Sequence, residues 1–555
     1  MRIRAAALGV LVGVCMCAMP ALAQKKLQDM DARLKNVEAD LDVLKEFIQD
    51  QSKQQAATRK QLDELTALKQ DLAKTDKKAE ALALVAKQTA GEVTELGKRV
   101  GEDEKRLATV EDELKKKLKF WGQIRVRPEY RSNNGDFNSM LDEDQNLSAG
   151  QRVRIGMSAA PFDGFVGRVT LQDARSWGVN SGDADPADPM RLYEGYIDAT
   201  LDKDAASLKL GRQEWAFGAQ RMIGKSDWSH AGRSFDGLDL TLKYENYVKA
   251  DVLYSIIDER NASQGKDEVF GGVYAVSPYV EGMTFDGYFL YLHDDREGGM
   301  RKVGTLGARS AGNLPVHKAF FFDAEVALQF GTVTESPRVG DPKTGAVETS
   351  SDGVPLSVDN SHFAVMYYLE AGYELPVGFP LAVSALAHIA SGDGNSSPNP
   401  ASGNDQSTGF VSLFPTRHSI LGRMDIFSMQ NIQDLAARVR TEPIKGLSFL
   451  SELHYFSLYA DTGPLPAGKT PNSSLVEPTD SALGVEWDLE GKYQFNPAFA
   501  LSAGFGLFFP GQAIVDRVET QRDEPSDDDP EQLTTYRYPA GDTASWLFVQ
   551  ADLLF

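Results

Sequence analysis

The residues with the most to offer chemically are arginines. Arg125, Arg127, Arg131, Arg152, Arg154 and Arg168 recur at short even spacings, and Arg175, Arg212, Arg221 and Arg233 follow among aromatics and glycines. A guanidinium keeps its charge at any physiological pH and offers a planar fork of donors that fits a carboxylate or a phosphate. Ranged along a low-dielectric wall, such groups would draw an anionic solute through a pore. The competing reading pairs them with acids such as Glu129, Asp173, Glu194, Asp198 and Asp236, so that they only stiffen the wall. Both can hold, since alternating charge keeps binding weak enough for a solute to leave. Bond-making chemistry has little support. The seven histidines, His230, His293, His317, His362, His388, His418 and His454, are scattered. No His-Glu-x-x-His and no phosphate-cradling glycine loop is present. In a chain with 80 acidic residues a pair of carboxylates signals nothing. We expect neither an enzyme nor a cofactor or metal.

The elements that must position these arginines are β-strands. Gln123, Arg125, Arg127, Glu129 and Arg131 alternate with Ile124, Val126, Pro128 and Tyr130, and Arg152, Arg154, Gly156 and Ser158 with Val153, Ile155, Met157 and Ala159. Arg168, Thr170 and Gln172 likewise alternate with Val169 and Leu171, and Leu238 to Tyr244 alternates strictly. Period-two patterning marks a strand whose faces meet different surroundings, here hydrocarbon on one side and water on the other. It returns at 193–199, 250–256, 285–292, 322–330, 362–373, 381–390, 436–441, 447–456, 483–489 and 498–508. In the last strand Leu547, Val549, Ala551, Leu553 and Phe555 share one face, and Phe548, Gln550 and Asp552 the other. A terminal strand closed by an aromatic resembles the assembly signal of bacterial outer-membrane barrels. At roughly 24 residues per strand and loop, residues 119–555 predict an all-β transmembrane antiparallel barrel of about 18 strands, with 16 as the fallback. Polar segments at 183–189, 331–360, 391–409, 462–480 and 516–543 read as extracellular loops. The acidic run Asp523, Glu524, Asp527, Asp528, Asp529 and Glu531 reads as a solvated loop face, with a divalent-cation or lipopolysaccharide-bridging role as the alternative. The turn-rich stretch Gly211–Asp239 reads as a loop folded near the pore.

Residues 1–23 have the form of a secretory signal, with Arg2 and Arg4 ahead of an apolar run and Ala21-Leu22-Ala23 as a cleavage site. The two cysteines, Cys15 and Cys17, fall inside it, which excludes a disulfide framework and cysteine-held metals from the rest. Residues 24–118 are nearly free of proline and glycine. Leu27, Met30, Leu34, Val37, Leu41, Leu44 and Ile48 form a heptad seam that turns polar at Gln51, Gln55 and Thr58 and resumes at Leu62 and Leu65. The seam breaks register around Asp76 and runs again through Val93, Leu96, Val100, Leu107, Val110 and Leu114. A long α-helical coiled coil is predicted, reaching about 140 Å if continuous, and so narrow a seam calls for self-association. This segment carries 20 charges of each sign and residues 1–23 two arginines, so the −22 of the whole chain leaves −24 on 119–555. Such a balance excludes nucleic acid as a partner.

Leu171-Gln172-Asp173-Ala174-Arg175 with Trp177-Gly178 resembles the alginate export family of outer-membrane porins. So does Leu210-Gly211-Arg212-Gln213-Glu214 with Gly218, Gln220-Arg221, Ile223-Gly224, Asp227-Trp228 and Gly232-Arg233-Ser234-Phe235-Asp236-Gly237. A later motif is similar too: Ser391-Gly392-Asp393-Gly394-Asn395, Asp405, Phe410, Leu413-Phe414-Pro415-Thr416, His418, Gly422, Asp425 and Asn431. The resemblance implies a monomeric 18-stranded barrel with an electropositive lumen, which in some members passes an anionic uronate polymer. The long coil and the acidic barrel depart from that pattern, and the family does not by itself imply alginate. The expectation is an outer-membrane porin for anionic solutes, acidic saccharides among them. Its pore would be lined by Arg125, Arg127, Arg152, Arg154, Arg168, Arg175, Arg212, Arg221, Arg233, Asp173 and Asp236. Expected partners are outer-membrane lipid and lipopolysaccharide, anionic solutes or oligosaccharides, and a second copy through the coil, which would hang in the periplasm. The alternatives are a tether to the cell wall with the barrel as anchor, or a sleeve around a secreted or electron-transfer partner.

Overall fold

The computed structural model describes residues 50, 52–66, 68–69, 76–134, 137, 146–178, 190–203, 205–260, 266–277, 281–295, 300–335, 358–394, 406–461, 463, 465–466, 480–517, 519–525, 533–539 and 541–555. The chain divides into two compact units at Lys119/Phe120.

In the first unit, helix α1 covers residues 52–66 and helix α2 covers Asp76–Lys117, starting where the seam breaks register. The seam residues Gln55, Thr58, Leu62, Leu65, Val93, Leu96, Val100 and Leu107 are half-buried, while most positions around them are exposed. A Cβ on Gly97 would stand 3.7 Å from the side-chain nitrogen of Gln55, so the two helices lie against each other within one chain. This corrects the expected single rod. Among the described residues a short helical region is present and no long coiled coil is evident. The leader at 1–23 and the seam at 27–48 lie outside the described residues.

The second unit is a closed wall of 18 antiparallel strands. Its first half comprises β1 Leu118–Ser132, β2 Asn146–Phe162, β3 Phe165–Ser176, β4 Met190–Asp202, β5 Ala206–Gln213, β6 Phe235–Tyr244, β7 Val248–Arg260, β8 Lys266–Ser277 and β9 Met283–Asp294. The second half comprises β10 Arg301–Leu314, β11 His317–Glu335, β12 Val358–Glu374, β13 Leu381–Ala390, β14 Ile432–Ile444, β15 Leu447–Leu458, β16 Ala482–Asn496, β17 Phe499–Pro510 and β18 Ala544–Leu554. Each strand pairs with the next, and β18 closes on β1 with Arg125 opposite Asp552 and Glu129 opposite Phe548. The Gly122 N–H donates to the Phe555 carbonyl at 2.6 Å and the Phe555 N–H returns to Gly122 at 3.0 Å. Closure matters because an unpaired backbone group in hydrocarbon costs several kcal/mol. Among the described residues no helix is long and apolar enough to cross a membrane.

Outward positions such as Leu171, Leu306, Phe330, Leu369, Leu453 and Leu547 are exposed apolar side chains, as a lipid-facing band requires. Short turns such as 163–164, 245–247, 315–316 and 445–446 join the strands at one end, and the long connections lie at the other. Three strands escaped the period-two reading: β5, β8 and β10. β5 is only eight residues long, and β8 and β10 carry glycines where a side chain would have marked the face. Gly307 in β10 leaves room for the Tyr288 ring, which a Cβ would meet at 2.2 Å.

Loops fill part of the lumen. Two long connections, 214–234 between β5 and β6 and the described parts of 391–431 between β13 and β14, fold into the barrel and build an apolar core there. Trp215, Met222 and Ile223 from the first meet Phe410, Leu413, Ile420, Met424, Ile426 and Phe427 from the second. Inward wall residues Met366, Leu386, Phe456, Leu483 and Phe508 complete the cluster. The loops also bond directly: the Gly224 N–H donates to Phe414 (2.7 Å), the Phe414 N–H to Met222 (2.9 Å) and the Thr416 N–H to Gln220 (3.0 Å). The described parts of 391–409 turn back on the wall, where Gln406–Ser407 pairs with β12, instead of reaching outward. Strands β11 and β12 extend to Glu335 and from Val358, shortening the expected 331–360 loop. Part of 516–543 is a hairpin of Glu519–Pro525 with Leu533–Pro539. Residues 183–189 and the acidic side chains 527–531 lie outside the described residues.

Candidate functional site

The expected ladder faces the lumen on β1, β2 and β3, but it meets a loop there. Tight turns at Ser226 (φ 50°) and Gly232 (φ 61°) bring residues 226–231 against the wall. Arg125 donates to a carboxylate oxygen of Asp227 at 3.2 Å and to its carbonyl at 2.6 Å. Arg152 donates to the other carboxylate oxygen at 2.9 Å, to the same carbonyl at 3.1 Å and to Ser229 O at 3.2 Å. Arg154 stands 3.5 Å from Asp227 and 3.4 Å from Glu214, with its plane 3.7 Å above the Tyr193 ring. Tyr193 sits at a register shift in β4, where an irregular pairing aims both it and Glu194 inward. Its hydroxyl donates to Glu214 at 2.5 Å.

Glycines make this close approach possible. A Cβ on Gly232 would stand 2.6 Å from an Arg154 nitrogen, and one on Gly150 would lie 2.1 Å from the His230 ring. Burial would raise the Asp227 carboxyl, but Arg152, Arg125, Lys225 and Arg154 hold it well below the usual carboxylate range. Burial, with Arg127 and Arg125 nearby, pushes His230 down to about 4, so its ring is neutral at neutral pH.

Arg127 extends the clasp. Its guanidinium lies 3.6 Å above the Trp228 ring and donates to Trp228 O at 2.8 Å. On the other ring pair His418 stacks on Trp228 with centroids 3.7 Å apart and planes 3° from parallel. Wall, first loop and second loop therefore meet at one stack. The second loop is anchored by Glu486, which accepts the N–H groups of Arg423 (2.6 Å) and Met424 (2.9 Å). Gly422, at φ 73°, leaves the space that the Glu486 carboxylate fills.

The remaining expected residues separate into three groups: Arg168 on the wall, Arg221 and Arg233 on the first loop, and Asp173, Arg175, Arg212 and Asp236 on β3, β5 and β6. Arg168 pairs with Glu194 at 2.9 Å on the inward face near Trp121. Arg221 crosses to the far wall, bonding Glu325 (2.7 Å) and Asp323 (2.8 Å) and lying 3.3 Å above the Tyr368 ring. Burial opposes its charge, but these two acids hold its pKa above the ordinary arginine value. Arg233 caps carbonyls of both loops, Gly224 at 3.0 Å and Phe414 at 2.5 Å, and burial pushes it down to about 10. The third group does not line the pore. Asp173 and Arg175 share the outward parity of Leu171, and Arg212 and Asp236 that of Leu210 and Leu238. They form two ion pairs on the outer surface near the long-loop end. A one-residue step along a strand flips the face, and reading these residues by motif instead of by parity hid that. The reading also missed the acid-rich arc opposite, where Arg438 and Arg440 share Glu370 and Arg423 joins Glu452.

A closed barrel with a lipid-facing band, a charged inner wall and two infolded loops defines an outer-membrane porin, a class of passive channel. The chain belongs to the alginate export family, which matches residues 116–525. No curated protein matches the chain. Among solved structures it is similar to OccK5 (OpdH) of Pseudomonas aeruginosa, at 12% identity over 79% of this chain and 98% of that one, TM-score 0.45. OpdK of the same organism, solved with vanillate, is similar at 11% identity over 79% and 99%, TM-score 0.45. OccAB3 of Acinetobacter baumannii is similar at 10% identity over 79% and 99%, TM-score 0.47.

Proposed function

We propose that this barrel is a passive channel for anionic solutes, acidic saccharides among them, with its selectivity set where the first infolded loop meets Arg125, Arg127, Arg152 and Arg154. The observation that carries the reading is this concentration of guanidiniums at one height of the inner wall, facing the loop that narrows the lumen. The outer band and the two ion pairs at its rim would contact outer-membrane lipid and lipopolysaccharide. A charge at 4 Å from an anion is worth about 4 kcal/mol at an effective dielectric of 20. Hydration and counter-ions reduce that to about 1 kcal/mol, several-fold in anion occupancy. Replacing Arg127 and Arg154 together by Ala is therefore expected to move the reversal potential toward cations in a salt gradient. Replacing Arg175 and Arg212, on the outer surface, should leave it unchanged. Equal shifts in the two pairs, or none in the first, would overturn the reading. A bilayer recording without current would favour a tether or an occupied sleeve.

The helical region would lie in the periplasm and self-associate. Its seam continues, on sequence, through Leu27–Ile48, beyond the residues that α1 and α2 cover between them. A peptide of residues 24–118 is expected to be helical and oligomeric, and a monomer at high concentration in sedimentation equilibrium would refute the association.

A further inference from the structure

We infer that the Asp227 carboxylate is a tethered competitor: it occupies the position on Arg125, Arg152 and Arg154 that a solute carboxylate must take. This rests on the anion-channel reading. The three guanidiniums are 8%, 0% and 7% exposed, whereas the Asp227 side chain is 36% exposed. Water in the lumen thus reaches the carboxylate, and the forks behind it are covered.

Two sets of bonds join the loop to these arginines. The loop backbone is held by carbonyls: Asp227 O to Arg125 and Arg152, Trp228 O to Arg127, and Ser229 O to Arg152. The carboxylate adds a second layer on the same arginines. The other acids at the cluster, Asp552 on Arg125 (2.8 Å) and Glu214 on Arg154 (3.4 Å), leave one positive charge for Asp227 to cancel.

Exchange swaps one carboxylate for another, so contact for contact it is even. The tether favours Asp227, because a linked group acts at a local concentration in the millimolar range or above. A solute with a single carboxylate competes poorly at lower concentration. One with several anionic groups can place a second beside Lys225, which is 37% exposed and has Glu214 no nearer than 3.9 Å. The class selected is therefore polyanionic, such as a tricarboxylate.

The test measures block of chloride current by acetate and by citrate in the full-length protein. In the wild type citrate should block at concentrations where acetate does not. Asp227→Asn should tighten acetate block several-fold, narrow the citrate-to-acetate ratio and raise chloride-over-potassium permeability. The sequence has cysteine only at positions 15 and 17, so Asp227→Cys gives a reactive thiol on the loop. Capping it with a sulfonate-bearing thiol reagent should restore wild-type block, and a trimethylammonium reagent should not. Unaltered acetate block in Asp227→Asn, or a variant that fails to assemble as a heat-modifiable barrel, overturns the inference, since either result makes the carboxylate a structural group. A wild type without chloride preference sinks the channel reading itself, and the two failures are thereby distinct.

Discussion

Deleting Leu547–Phe555 is expected to abolish the assembled barrel. β18 bonds on both sides, to β17 from Phe499/Leu553 to Phe508/Ala544 and to β1 from Gln123/Leu554 to Ser132/Ser545. Without it both neighbours present bare N–H and C=O groups to hydrocarbon, each costing several kcal/mol. That exceeds the 5–15 kcal/mol of stability typical of a whole folded protein. No heat-modifiable, protease-resistant species should appear in the outer membrane. Phe555→Ala is the milder companion: the ring rests over Gly122, where a Cβ would stand 2.3 Å from it, and its loss leaves the strand pairing intact. Correctly localised, heat-modifiable protein from the deletion would show that closure runs through another strand.

Arg221→Ala should release the first infolded loop. Arg221 is buried, and its removal leaves Glu325 with only the Tyr288 hydroxyl (2.7 Å) and Asp323 with Arg309 (2.8 Å). Breaking a buried ion pair from one side costs about 3–5 kcal/mol, chiefly through the charge left behind. The loss falls on the anchor that holds residues 214–234 to the wall opposite the arginine ladder. Conductance should rise and become noisy, and protease should nick the loop. Replacing the pair by uncharged groups, Arg221→Met with Glu325→Gln, should recover much of the wild-type current, because the stranded charge is gone. A single variant with wild-type conductance and protection would mean that the apolar core alone holds the loop.

How much of this was legible follows from which interactions are local. A lipid boundary imposes its own period on each strand: one face must be apolar whatever the neighbours do. The alternation at 123–131, 152–159 and 547–555 therefore reported face, strand and arginine direction without any knowledge of pairing. Short or glycine-bearing strands lack the side chains that carry this signal, which is why β5, β8 and β10 stayed silent. Parity also decides what motif reading cannot. Arg175 and Arg212 lie among residues typical of a pore, yet one-residue steps place them outside.

The infolded loops obey no such local rule. Phe410, Leu413, Ile420 and Phe427 sit in a stretch without strand or helix period, and nothing near them in sequence says that they will meet Met222, Phe456 and Phe508. Likewise Arg125 and Arg152 reach Asp227 across 102 and 75 residues, so their partner follows from the path of the loop and not from spacing. The sequence by itself determined the class of the fold, the faces of most strands and the inward arginines, because lipid and water act on every residue separately. Only the tertiary structure decided that those arginines hold a loop, that the lumen has an apolar core and that two ion pairs face outward. Each of these depends on which distant groups closure of the barrel brings within bonding distance.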